Sequence, residues 1–82
     1  MSAYTLNKML REINRDPVAR KRYFDDAQAF AADFELTEEE RRAFLAHDIG
    51  ALYRFGAHGL ILRPFTLLQQ MPEPEYLRLI RE

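Results

Sequence analysis

The sequence predicts an all-α fold, a small single-domain bundle of about five to six short helices. Apolar residues recur at helical spacing along the chain, and nowhere do they alternate as in a half-buried strand. Helix-start chemistry recurs as well, at Asp16-Pro17 and at Thr37–Glu40. A length of 82 residues suits one domain and not two, so residues 1–82 are read as a single helical domain. A chain this short buries only roughly 60% of the surface it exposes when unfolded, so each helix has to turn one stripe toward one shared core.

The first helix is carried by Leu6, Met9, Leu10 and Ile13, spaced i, i+3, i+4, i+7. It ends near Asn14-Arg15. Asp16 then offers a carboxylate to free helix N–H groups, and Pro17 sits where its missing donor is harmless. Val18 to Phe34 presents Val18, Tyr23, Phe24, Ala27, Phe30, Ala31 and Phe34, with Asp25-Asp26 as the point that divides it into two short helices. Thr37 with Glu40 fits a capping box, and Glu38, Glu39 and Glu40 favour the positive end of the next helix. That helix is expected to run from Glu38 to about Phe55 on Phe44, Leu45, Ile49, Leu52 and Phe55, and Gly56 is its left-handed stop. Leu60, Ile61, Leu62, Phe65, Leu67 and Leu68 form the most apolar stretch, which Pro64 is expected to kink or restart. Pro72 and Pro74 bracket a linker before a last helix, Glu75 to Arg81, with Tyr76, Leu77 and Ile80 on one side.

Composition narrows the function. Apolar residues are 48% and charged residues 30%, the balance of a globular chain and not of a disordered one. A formal net charge of −1 supplies no field toward nucleic acid or an anionic membrane, and neither is expected as a partner. With no cysteine, disulfides and thiolate chemistry are excluded. No apolar run approaches the ~20 residues that span a bilayer. Met1 to Arg11 lacks the layout of a signal peptide, so the expected location is cytoplasmic.

Few residues are placed for chemistry. His47 and His58 have no carboxylate at metal-ligand spacing, so no cofactor is expected in this chain and no residue is assigned as catalytic. The basic run Arg20-Lys21-Arg22 is neutralised at once by Asp25 and Asp26 and reads as a solvated face. Two features stand out. Asp48 falls on the apolar stripe between Phe44 and Leu52, where a carboxylate has to be hydrogen-bonded. It is assigned a structural role together with Thr37 and Glu40. The run Leu60–Leu68 also holds more apolar surface than one side of a small bundle needs, as a partner interface does.

The order of signals Asn14-Arg15-Asp16, Arg22-Tyr23-Phe24, Phe34-Glu35-Leu36-Thr37-Glu38-Glu39-Glu40, Leu45-Ala46-His47-Asp48, Ala51-Leu52-Tyr53, Gly56-Ala57-His58, Leu60-Ile61-Leu62, Met71-Pro72 and Glu75-Tyr76 covers nearly the whole chain. It resembles the LigA-type small, or alpha, subunit of protocatechuate 4,5-dioxygenase and related extradiol ring-cleavage dioxygenases. The resemblance implies a non-catalytic all-helical subunit. It implies a larger beta subunit as partner, holding a non-haem Fe(II), whose active-site mouth the alpha subunit caps. It places Gly56 to Phe65 nearest that mouth. Within this segment Gly56 and Gly59 permit a tight turn, His58 is a polar tip, and Leu60, Ile61 and Phe65 form an apolar underside. Two other readings fit the same residues. One is a stand-alone helical binding module, such as a peptide-recognition or leader domain in modified-peptide biosynthesis. The other is a scaffold that forms a homo-oligomer through Leu60–Leu68.

Overall fold

The computed structural model describes residues 2–81. Met1 and Glu82, the ends of the expected 1–82 domain, lie outside the described residues. Among the described residues seven helices follow one another: α1 (Ser2–Arg15), α2 (Pro17–Asp25), α3 (Ala27–Ala32), α4 (Glu38–Ala46), α5 (Ile49–Arg54), α6 (Gly59–Leu68) and α7 (Glu73–Arg81). No strand occurs among the described residues. The count exceeds the expected five to six because the long helix expected over Glu38–Phe55 is two helices, broken at His47-Asp48.

Local chemistry explains the starts. Asp16 accepts from Val18 N at 2.9 Å ahead of Pro17, and Asp26 accepts from Ala29 N at 3.1 Å. Thr37 Oγ1 accepts from Glu40 N at 3.1 Å while Glu40 Oε1 accepts from Thr37 N at 2.8 Å, a complete capping box. Such a cap stabilises by about 0.5–2 kcal/mol.

The stops share one device. At the ends of α4, α5 and α6 a single residue turns left-handed: His47 (φ 57°), Gly56 (φ 108°) and Gln70 (φ 60°). In each case the following N–H reaches back five residues, Asp48 to Ala43, Ala57 to Leu52 and Met71 to Thr66, at 2.8, 3.0 and 3.0 Å. This is the Schellman pattern, which satisfies carbonyls that the helix leaves free. Histidine is among the non-glycine residues that enter this region, so the chain breaks at His47 without a glycine.

Two prolines behave differently from expectation. Pro64 lies inside α6, which runs through it to Leu68. The ring removes one donor, the one that would serve Leu60 O, on the exposed side of the helix. Pro74 sits in the first turn of α7, where no intrahelical donor is needed, so this helix starts at Glu73 and not at Glu75.

Helix α1 packs against α2 and α6, and α5 packs against α4 and α7. Leu6, Met9, Leu10 and Ile13 are all fully buried, as are Phe30, Phe44, Ile49, Leu52, Leu62 and Phe65. Tyr23 stands at the centre of an aromatic group, with ring centroids 5.4 Å from Phe44 and 5.8 Å from Phe65, and Phe44 stacks on Phe65 at 5.9 Å. Phe55, expected on the core stripe, is exposed because it follows the end of α5. Arg63 ties α6 to the last helix. Its guanidinium donates to Thr66 Oγ1 and Met71 O, both at 3.2 Å, and lies 5.2 Å from the centroid of the Tyr76 ring.

Candidate functional site

The residues singled out around Gly56–Phe65 lie where α5 turns into α6, against the flank of α1. One side chain holds this turn. Asn7 Nδ2 donates to Gly56 O at 3.1 Å and to Ala3 O at 2.9 Å, and Asn7 Oδ1 accepts from His58 N at 2.8 Å. A second asparagine on α1, Asn14, donates to Ile61 O at 2.9 Å. The turn and the start of α6 are thereby fixed to α1 at two points. The φ of 108° at Gly56 is one that side chains rarely adopt, and a Cβ there would meet Ala3 Cβ at 3.0 Å.

His58 is exposed and caps α6 with its own ring: Nδ1 accepts from Leu60 N at 3.1 Å. With Nδ1 as acceptor, the neutral imidazole carries its proton on Nε2. Among the described residues that Nε2–H has no protein acceptor, so it is free to donate outward. Leu60 beside it is 81% exposed and Ile61 half-buried.

The remaining residues divide differently from expectation. Phe65 is fully buried in the aromatic group and is not part of a surface a partner could touch. Leu60 and Phe65 are five positions apart, about 140° around the helix, so they face opposite ways. Gly59 is not a turn residue but the first residue of α6, and a Cβ there would meet only Tyr76 Oη at 3.9 Å. Asp48 does not lie on a continuous apolar stripe. It is exposed and caps α5 by accepting from Ala51 N at 3.1 Å.

Around His58 the surface is hollow. An open groove of about 570 Å³ is lined by Arg11, Asn14, Arg15, His58, Leu60, Ile61 and Pro64. A neighbouring hollow of about 380 Å³ shares Arg11 and Ile61 with it and adds Tyr4, Asn7 and Lys8. The contribution of α1 was missed by the sequence reading, although Tyr4, Lys8, Arg11 and Arg15 have helical spacing. A separate open groove of about 600 Å³ along α7, lined by Glu73, Pro74, Leu77, Arg78 and Arg81, contains none of the residues singled out from the sequence.

His47 is in another place. Its Nε2 lies 2.9 Å from Tyr23 Oη, at the edge of the aromatic core. Burial pushes the Tyr23 hydroxyl up to about 12, and the Gln69 amide pulls the other way. Among the described residues no group of three His, Asp or Glu side chains converges as metal ligands would. The basic run is absorbed locally. Arg20 donates to Ile13 O at 3.1 Å and to Asn14 O at 2.6 Å, closing the end of α1, while Lys21 pairs with Asp25 and Arg22 with Asp33.

What this arrangement offers is a rigid turn with an outward donor, an exposed apolar edge and a cationic flank. No helix among the described residues is long and apolar enough to cross a membrane. No curated protein and no solved structure matches the chain significantly. A family match, described as the LigA subunit of the aromatic-ring-opening dioxygenase LigAB, extends over residues 6–76, from the first core leucine of α1 to the buried tyrosine of α7. The chain belongs to the LigA family of aromatic-ring-opening dioxygenase subunits.

Proposed function

We propose that this chain is the non-catalytic alpha subunit of an Fe(II) extradiol ring-cleavage dioxygenase, and that it caps the active-site mouth of a larger beta subunit. Family membership together with the exposure of His58 and Leu60 on one fixed turn carries the reading. A cap has to hold its shape while it excludes water. Asn7 holds the turn, Leu60 provides the apolar edge, and His58 Nε2–H is a donor for a substrate oxygen or a carbonyl of the beta subunit. The iron belongs to the beta subunit in this reading. The described residues of this chain do not fit a metal, and no bond-making step is assigned to them.

His58→Asn tests the role. Asparagine is itself a favoured N-cap, so the isolated chain should melt within about 0.5 kcal/mol of the parent. Turnover or substrate preference of the reconstituted enzyme should change about three- to tenfold, the effect of one net hydrogen bond. Steady-state oxygen uptake over a series of catecholic substrates checks this. An unchanged kcat/KM for every substrate would count against the cap.

A further inference from the structure

The outer face of α1 carries an arrangement that capping by His58 does not use. Tyr4, Lys8, Arg11 and Arg15 fall within about 60° of one another on a helix that turns 100° per residue. They lie away from the buried stripe, and Arg11 continues the face into the hollow beside His58 and Leu60. Leu60, 81% exposed, and Tyr4, 71% exposed, are the two most exposed large hydrophobic residues among those described. Lys8, Arg11 and Arg15 enter no ion pair among the described residues, whereas Lys21, Arg22, Arg41 and Arg42 each pair with a carboxylate. One carboxylate, Glu12, flanks the face; it is half-buried and pairs with none of the three. Three cations to one carboxylate is a local excess in a chain that has 12 basic and 13 acidic residues.

We infer that this α1–α6 face is the docking surface for the larger subunit, and that its occupant is a carboxylate-rich surface with an apolar centre. The inference rests on the proposed function and extends the contact from the Gly56 turn onto α1. Charge selects the occupant. A second copy in a two-fold contact would set the same cations against one another, and like charges brought together across an interface are costly. A net charge of −1 disfavours nucleic acid. Carboxylates of a partner protein would pair with the arginines in bidentate fashion, while Tyr4 and Leu60 supply apolar contact.

The test uses the LigB-type subunit from the chain's own genome as the probe. Binding of the parent chain, Arg11→Glu/Arg15→Glu and Leu60→Ala is measured by calorimetry at low and at moderate salt, with circular dichroism as the folding control. These side chains are exposed, so each variant should fold as the parent does. The parent's Kd should rise with salt. The double variant should bind at least about tenfold more weakly and lose the salt dependence, and Leu60→Ala should bind about tenfold more weakly. Should the double reversal unfold the chain, Lys8→Gln/Arg15→Gln carries the test, with about a threefold loss expected. Parent-like binding by a folded charge variant overturns the docking face and leaves the capping role standing. So does self-association of the parent, or retention of nucleic acid, that the double variant abolishes. No binding by the parent overturns the functional reading and this inference together.

Discussion

Asn7 is the residue on which the candidate site most depends. One amide holds Gly56 O and His58 N, across 49 and 51 positions of sequence. Nothing local announces this, because Asn7 stands in the first helix as an ordinary polar residue between core positions. The Thr37–Glu40 box was legible because both partners lie within one turn. Asn7→Ala should destabilise the chain by about 0.5–1.5 kcal/mol, since water takes the place of the amide at two exposed backbone groups. Hydrogen exchange should show the loss concentrated at His58 N–H; a uniform loss, or none, would contradict the role given to Asn7. Tyr23 makes a second prediction. Its hydroxyl stays protonated in the fold up to about 12, against an ordinary value of 10.0. Between those values the unfolded chain sheds the proton and the folded chain keeps it. Stability should therefore be unaffected by this group below pH 10 and fall as pH rises from 10 toward 12. Chemical denaturation across that range checks it, and Tyr23→Phe should flatten the decline.

At the scale of elements, the starts marked by Asp16-Pro17 and Thr37 and the end at Arg15 were legible, while the end of α4 at His47, the start of α5 at Ile49 and the start of α7 at Glu73 were not. Asp16 and Thr37 cap helices as their chemistry requires, and the break expected at Asp25-Asp26 is the N-cap Asp26 of α3. The His47-Asp48 break was hidden because Leu45, Ile49 and Leu52 keep helical spacing across it. The same spacing made Asp48 look like a buried carboxylate, when it is the exposed cap of a new helix. Such a break lets α5 turn away from α4 and meet α7. Gly50 makes that meeting close, since a Cβ there would stand 2.8 Å from Leu79 O, a backbone atom of α7. Gly50→Ala should thus cost about 1–3 kcal/mol through displacement of α7, although alanine favours helix. A thermal melt checks the sign: a stabilised Gly50→Ala would show that α7 yields freely.

For the whole molecule, helical periodicity and caps made the fold class legible, because each helix contributes one stripe to one core. The radius of gyration, 11.6 Å, is that of a compact domain of this length, about 12 Å. Of the candidate site, the turn was legible and its neighbours were not. The segment Gly56 to Phe65 was singled out from glycine, histidine and a surplus of leucine, and Gly56 and His58 do form a turn fixed to α1. The division of the run could not be read, since Leu60 and Phe65 are both large and apolar and only the packing of Phe65 against Tyr23 of α2 and Phe44 of α4 decides which is buried. The cationic face of α1 was overshadowed by Arg20-Lys21-Arg22, a denser basic run that the structure uses locally.

In the proposed function this LigA-family chain works by completing a larger ring-opening subunit. Titration of the purified chain into that isolated iron-loaded subunit, with catechol ring opening followed by oxygen uptake, tests it most directly. Turnover should rise with added chain and saturate, while the chain alone opens no ring. Turnover that stays the same at every ratio, with no complex detected by calorimetry, would contradict it.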